Sequence, residues 1–412
     1  MHYIFLLVAL LPLIAAEESG QSDLQHVFKQ NWEPSFSQDG QPDSHQSCIT
    51  SHLTSHQTAK DPIYFSTSSI DSLAGPRISG INATVWEQWY FDSVSDEADA
   101  SIAMLFARDA SYTALGKGHL RMELDLVWQN GTKFTQAEFM DEATVRDCDG
   151  EIHGLFRSPG RMYSFRISKD FQSAKVDIAA PPVEGSFTLT AIGPPHYPGG
   201  EVHPSSNAST LTSPSLHFAE IISAGRFDAI FVIDGSPFAF RGIGGHDHGW
   251  AARSWFDIVK GWHIVRAVVG PYSMTLWAPI SLCDGVTYSS GFLARDGQKI
   301  WGKMITSSEM LSEEDDYVKL GKTYGGKMLG TLGDKNTGYV LEFASPRSGE
   351  HWKFNLEHNN VAFEMGFGAG SGLTGFTSLA QGGLVGGDQY RGVAFGEQVK
   401  LPGQSSVLSQ RL

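Results

Sequence analysis

The densest group of residues able to do chemistry lies at residues 242–250, which read Gly-Ile-Gly-Gly-His-Asp-His-Gly-Trp. In an extended segment alternate side chains point to opposite faces, so His246 and His248 would share one face and Asp247 would occupy the other. Two imidazoles at this spacing could share a metal ion, although no third ligand is evident. Alternatively, Asp247 or a histidine could transfer protons once burial tunes its pKa, or the three could hydrogen-bond one another and join two parts of the fold.

An aromatic segment at residues 84–92, Thr-Val-Trp-Glu-Gln-Trp-Tyr-Phe-Asp, is the second candidate. An extended conformation would divide its side chains between two faces, Trp86, Gln88 and Tyr90 on one and Glu87, Trp89 and Phe91 on the other. Aromatic side chains at this density often form plain core. Glu87 and Asp92, however, would need partners if buried, and burial moves a carboxyl pKa toward the range of a general acid.

Familiar catalytic motifs are missing from the sequence. There is no Gly-x-Ser-x-Gly, no His-Glu-x-x-His and no cysteine with a recognisable partner pattern. The glycine-dense residues 366–392 lack the strand-to-helix context and the Lys-Ser/Thr of a phosphate-binding loop, so we interpret them as close-packed turns. The carboxylate pair of a glycoside hydrolase is defined by a distance in space, which leaves a glycan-active protein open.

Composition narrows the class of protein. The 412 residues are 41% hydrophobic, enough for a large core, and 45 acidic against 30 basic residues give a net charge of -15. Such a surface repels phosphate backbones, so nucleic acid is excluded as a partner. Three cysteines, Cys48, Cys148 and Cys283, allow at most one disulfide and one free thiol.

The amino-terminal residues predict that the protein enters the secretory pathway. Residues 1–16 hold a short apolar run that ends in small residues, typical of a signal peptide. Asn82, Asn130 and Asn207 each begin an Asn-x-Ser/Thr sequon and are candidate glycosylation sites. We therefore expect a protein of the secretory pathway, in the endoplasmic reticulum lumen, in vesicles or secreted, with no stable membrane insertion after signal removal.

The remaining pattern predicts an all-β fold. Residues 17–60 form a polar lead-in for which we expect little structure. Beyond it, apolar residues alternate with polar ones, as in residues 120–128, and Asn130-Gly131 supplies hairpin turn chemistry. No comparable stretch keeps a helical period. We expect antiparallel β-barrels or sandwiches in two domains, residues 61–250 and 251–405.

Four segments in register resemble the fungal lipocalin-like Diels-Alderases over roughly residues 75–400. They are residues 84–92, residues 269–274 (Val-Gly-Pro-Tyr-Ser-Met), residues 333–343 (Gly-Asp-Lys-Asn-Thr-Gly-Tyr-Val-Leu-Glu-Phe) and residues 352–354 (Trp-Lys-Phe). The resemblance implies two lipocalin-like domains with a pocket at their interface, no cofactor, and an intramolecular [4+2] cyclisation of a linear polyketide or polyketide-amino acid hybrid.

Residues 245–250 also resemble the carotenoid 1,2-hydratase (hydroxyneurosporene synthase) relatives. That likeness implies an alternative chemistry, acid-assisted epoxide rearrangement or cation cyclisation with Asp247 as the acid. A non-enzymatic carrier of a hydrophobic small molecule is a further alternative. The predicted catalytic residues are Asp247, His246, His248 and Glu87, with no metal; the predicted substrate contacts are Trp86, Trp89, Tyr90, Trp250, Trp255, Tyr272, Asn359 and Phe363.

Overall fold

The structure, a computed structural model, describes residues 48–60, 62–111, 118–310, 312–326 and 334–402. The predicted signal peptide and most of the polar lead-in lie outside these residues. The regular secondary structure of the described residues is almost entirely antiparallel β-strand, in two sheets. This confirms the all-β prediction. No helix among the described residues is long and apolar enough to cross a membrane.

The first sheet contains thirteen strands of the described chain, in the order β1-β6-β7-β8-β9-β10-β12-β13-β2-β3-β4-β5, with β11 paired to β12. Its strands are β1 (Cys48–Thr54), β2 (Trp86–Ser95), β3 (Ser101–Asp109), β4 (Leu120–Val127), β5 (Lys133–Phe139), β6 (Glu142–Cys148), β7 (Glu151–Ser158), β8 (Arg161–Ile167), β9 (Ser173–Ala180), β10 (Val183–Ala191), β11 (Leu211–Ser213), β12 (Leu216–Ile233) and β13 (Ser236–Ala251).

A short helix, α1 (Trp255–Ile258), connects the first sheet to the second. The nine described strands of the second sheet follow the order β17-β16-β15-β14-β22-β21-β20-β19-β18. They are β14 (Val259–Val269), β15 (Tyr272–Ser281), β16 (Tyr288–Arg295), β17 (Gln298–Thr306), β18 (Tyr317–Thr323), β19 (Gly338–Ser345), β20 (Glu350–Gly368), β21 (Ser371–Leu384) and β22 (Tyr390–Lys400), with a 3-10 turn at Pro346–Ser348. The sheets change near the predicted boundary at residue 250, and the division into two domains stays a prediction.

The hairpin between β4 and β5 forms where the Asn-Gly pair predicts it. Val127 pairs with Lys133 across the turn, and Gly131 has a φ of +81°, a left-handed conformation that glycine adopts at little steric cost. On β4, Leu120, Met122, Leu124 and Leu126 are all buried. The alternation seen in the sequence therefore gives the strand its core-facing side.

The expectation of little structure in residues 17–60 was wrong for their last part, because β1 lies there. Cys48 is disulfide-bonded to Cys148, its register partner on β6. A cross-link and a ladder of backbone hydrogen bonds supply the stability that a polar composition does not predict. Cys283 is a free, exposed thiol.

Strands β2 and β13 are neighbours at the centre of the first sheet and separate two environments. Trp89 and Phe91 point into the core enclosed by that sheet, whereas Trp86 and Tyr90 pack among residues of the second sheet. The two faces predicted for residues 84–92 are thus confirmed. One of them faces the junction between the sheets.

Candidate active site

A cavity of about 160 Å³ lies between the two sheets. Much of its wall is aromatic: Phe218, Trp255, Phe256, Trp262, Trp277 and Phe363. Tyr90, Asp247 and Glu397 form a polar group on the same wall, and Arg121, Glu123 and Asp125 of β4 also line it. An apolar cavity with a few converging polar groups is typical of a small-molecule site.

Asp247 reaches this cavity because β13 alternates its side chains. It pairs with Tyr90 of β2 on one side and with Glu220 of β12 on the other. Its side chain is 3% exposed. His246 and His248 point to the opposite face, as the spacing predicts, so the three residues do not form one catalytic group.

Arg266 of β14 crosses from the second sheet into the first and contacts three carboxyls. Its Nε donates to Asp92 Oδ1 and Oδ2 at 2.9 and 3.0 Å, and its Nη1 donates to Glu220 Oε2 at 2.9 Å. Its Nη2 lies 3.5 Å from Asp247 Oδ2. Burial disfavours the guanidinium charge, but attraction to the acidic side chains, that of Asp92 first, outweighs burial and raises the pKa of Arg266.

The carboxyls around Arg266 have perturbed acidity. Burial, and next the charge of Glu220, raise the pKa of Asp247 well above its usual range. The charge of Arg266 lowers this pKa, but by less than the other two effects raise it. Burial likewise raises the pKa of Glu220 and of Glu397 to about 7. The raised pKa favours the protonated form of Asp247, which can donate a hydrogen bond into the cavity.

Tyr90 and Glu397 complete the polar group. The Tyr90 hydroxyl donates to Glu397 Oε1, and Trp262 Nε1 donates to Glu397 Oε2 at 3.3 Å. Burial, reinforced by Glu397, raises the pKa of Tyr90 well above 10. The phenol therefore stays protonated.

Glu87 and the two histidines lie outside the cavity lining, within the first sheet. Glu87 accepts from Arg108 Nη2 at 2.7 Å and lies 3.1 Å from His248 Nε2, while His248 Nδ1 donates to the Leu73 carbonyl at 2.6 Å. Burial opposes the Glu87 charge, but Arg108 and His248 outweigh it and lower its pKa. His246 stacks on Phe91 at 4.1 Å, and burial lowers the pKa of its imidazole to about 3.

The predicted substrate contacts divide between the cavity and its supports. Tyr90, Trp255 and Phe363 line the cavity, and Trp86 stacks behind Trp255 at a centroid distance of 4.0 Å. The others lie outside the lining: Trp89 in the core of the first sheet, Trp250 beneath Arg77, Tyr272 in the core of the second sheet, and Asn359 donating to the Ala98 carbonyl.

Sequence reasoning missed Arg266 and Glu397. Arg266 interrupts the apolar run of β14, between Val265 and Ala267, which are both buried. A charged residue inside such a run needs partners from elsewhere, and that was the signal that could have revealed it. Among the described residues no group of three or more His, Cys, Asp or Glu is placed to hold a metal ion.

Two antiparallel sheets that enclose an aromatic cavity with a few polar side chains define a lipocalin-like fold with a candidate small-molecule site. A family model described as Diels-Alderase-like matches residues 45–402. The chain belongs to this Diels-Alderase-like family and is an isomerase, an intramolecular cyclase.

Known proteins agree with this assignment. Diels-Alderase ucsH of Acremonium sp is 40% identical over 375 residues, which cover 85% of this chain and 91% of that protein. Diels-Alderase mycB of Thermothelomyces thermophilus is 37% identical, covering 95% of this chain and 90% of that protein. The crystal structure of CghA with Sch210972 has the same fold, with a TM-score of 0.75 at 22% identity over 85% of this chain and 98% of that chain.

Proposed function

We propose that the cavity folds a linear polyketide or polyketide-amino acid hybrid of fungal secondary metabolism and promotes its intramolecular [4+2] cyclisation. The observation that carries the proposal is the buried Asp247 carboxyl, with its raised pKa, on the wall of an aromatic cavity. In the reaction, a diene and a dienophile of one molecule form two σ bonds at the expense of π bonds. No atom is gained or lost, so the product is an isomer.

Such a reaction needs no nucleophile, and its barrier is lowered in two ways. Holding the flexible chain in one reactive conformer removes much of the entropic cost, which for well-oriented intramolecular reactions is worth up to about 7–11 kcal/mol. A hydrogen bond from Asp247 to a carbonyl conjugated with the dienophile withdraws electron density and favours bond formation. Trp255, Trp262 and Trp277 shape the apolar wall on which the chain folds.

The same carboxyl supports a second candidate, acid-assisted epoxide rearrangement or cation cyclisation. Neutral Asp247 would protonate the substrate, and the indole faces near it would stabilise the cation. The two chemistries differ in what they need from residue 247. The pericyclic reaction needs a hydrogen-bond donor, whereas the acid-assisted reaction needs a transferable proton.

The first prediction separates these chemistries by two substitutions. Asp247→Asn keeps a donor and should leave a pericyclic rate within about tenfold, because an amide N–H still polarises the carbonyl, whereas Asp247→Leu removes the donor and should lower it about 10²-fold. Rate and stereochemistry would be followed with purified protein and a linear triene-dienophile precursor, without additives. Asp109→Asn, a buried carboxyl outside the cavity lining, is the control.

The outcomes are distinct. Loss of all turnover in Asp247→Asn would favour proton transfer over pericyclic closure. Retention of the precursor by wild-type protein without turnover would favour a carrier. Full activity of Asp247→Leu would remove Asp247 from the mechanism.

The Cys48–Cys148 disulfide supports a location in the secretory pathway, because such bonds persist in oxidising compartments. Asn130 and Asn207 are exposed and accessible to glycan, whereas Asn82 is half-buried in a turn. Glycosidase treatment of protein from a fungal host should reduce its apparent mass. Unchanged mobility together with cytosolic fluorescence of a tagged chain would contradict this location.

A further inference from the structure

Three carboxyls converge on the single guanidinium of Arg266 at the junction of the sheets, and only one of them, Asp247, lines the cavity. We infer that Asp92 and Glu220 are positioning residues: by engaging Arg266 they hold Asp247 in its proton-bearing form. The inference rests on the proposed role of Asp247 and assigns the residues that make this role possible. Neither positioning residue touches the cavity.

The three carboxyls differ in the number and length of their contacts with Arg266. Asp92 accepts two hydrogen bonds from Nε, at 2.9 and 3.0 Å, and Glu220 accepts one from Nη1 at 2.9 Å. The carbonyls of Ile222 and Ser223 accept further bonds from Nη1 at 3.1 and 2.6 Å. Asp247 has the longest contact, 3.5 Å.

The charge balance then decides which carboxyl keeps its proton. The titratable groups that act on Asp247 are Tyr90 and Asp92 of β2, Glu220 of β12, Arg266 of β14 and Glu397 of β22. With Asp247 itself, this set places four carboxyls around one cation, and ionising all four would leave three uncompensated charges away from water. Burying an unpaired charge is strongly unfavourable, so of the three carboxyls in contact with Arg266 the one with the longest contact retains its proton. That carboxyl is Asp247, which lines the cavity, whereas Glu397 accepts from Tyr90 and Trp262 instead.

Glu220→Gln tests the inference with little change in side-chain shape. With the glutamate charge removed, Asp247 is the remaining counter-charge within reach of Arg266 beside Asp92, and it should ionise at lower pH. As pH rises, we expect the rate of the variant to fall at a pH at least one unit lower than the rate of wild type. At a pH where wild type is fully active, the variant should therefore be about tenfold slower. Asp92→Asn is the second variant, with the same expected direction, for the case that Glu220→Gln does not fold.

A double-variant comparison excludes a merely structural effect. The amide introduced by Asp247→Asn cannot ionise, so Asp247→Asn alone and Asp247→Asn combined with Glu220→Gln should have equal rates and flat pH profiles. If Glu220→Gln lowers the rate by the same factor in wild type and in Asp247→Asn, the inference is overturned.

Infrared spectroscopy gives a readout that does not depend on turnover. The carbonyl stretch of the protonated Asp247 side chain is assigned by its loss in Asp247→Asn, and is then followed against pH in wild type and in Glu220→Gln. A band that disappears at lower pH in Glu220→Gln supports the inference, even if wild type fails to cyclise the precursor and the proposed function falls. A band that persists to the same pH in both proteins overturns the inference.

Discussion

Gly245 lies directly beside the Arg266 guanidinium, and its missing side chain is what makes room for that group. A Cβ at this position would lie 2.2 Å from Arg266 Cζ. An arginine head group can usually move away, but here five hydrogen bonds hold it. One glycine of the residue 242–250 string thus has a steric role in the charge cluster.

The second prediction follows at this position. Gly245→Ala should displace Arg266 and leave buried carboxyls without their counter-charge, lowering the free energy of unfolding by about 3–5 kcal/mol, the usual cost of breaking a buried pair. Urea denaturation measures it. Gly249→Ala on the same strand is the control, because its Cβ would lie 3.5 Å from the Trp86 ring, an ordinary contact. Equal stability of the two variants would contradict the steric role.

At the scale of single elements, β1 is held to the first sheet by one covalent bond as well as by strand pairing. The Cys48–Cys148 disulfide spans a sequence separation of 100 residues and joins register partners of β1 and β6. A cross-link that closes a long loop lowers the entropy of the unfolded chain, which stabilises the fold. The neighbouring Ser51 hydroxyl accepts a hydrogen bond from buried Arg108, so β1 also helps to satisfy a charge in the core.

The third prediction concerns this bond. Cys48→Ala should lower the free energy of unfolding by about 2–4 kcal/mol, measured by urea denaturation of the oxidised protein. A reductant should lower the free energy of unfolding of wild type to that of Cys48→Ala and should leave that of the variant unchanged. Cys283→Ala, which removes the exposed free thiol, serves as the control with no expected change. A reductant effect that persists in Cys48→Ala would argue against the bond.

Across the whole molecule, two sets of buried groups respond to pH in opposite directions. Burial lowers the pKa of His196 and His246 to about 3 and of His217, His263 and His358 to about 4. Burial raises the pKa of Asp125, Glu220 and Glu397 to about 7. Below pH 6.5 the unfolded chain binds protons on its histidines and the folded chain does not, which destabilises the fold. Between pH 7 and about 4.5 the folded carboxyls bind more protons than the unfolded ones, which has the opposite sign.

The fourth prediction is a biphasic acid response. The three carboxyls should offset part of the destabilisation by the five histidines down to about pH 4.5, so stability should fall gently over that range and more steeply below it, where the carboxyl offset ends. Removing two carboxyls of the second set, with Asp125→Asn and Glu397→Gln, should start the steeper fall near pH 6.5. Urea midpoints measured from pH 7 to pH 4 test this. Parallel curves for wild type and the double variant would refute the offset.

The local pattern of the sequence determined the all-β class, the two faces of residues 84–92, the opposed faces of Asp247 and its flanking histidines, and the β4–β5 hairpin. These features depend on side-chain alternation and turn chemistry, which act between near neighbours in the chain. The resemblance in four motifs predicted the family and the pocket.

Only the tertiary structure decided which of these groups form the site. Arg266 meets Asp92 across 174 residues and Glu220 across 46, and Tyr90 meets Glu397 across 307. Glu87 and Asp247 look equally plausible as acids in the sequence. Arg108 and His248 lower the pKa of Glu87 despite its burial, whereas burial and Glu220 raise the pKa of Asp247 beside an arginine already engaged by other carboxyls. Acidity depends on desolvation and on charges brought close by distant strands, and residue spacing along the chain carries neither quantity.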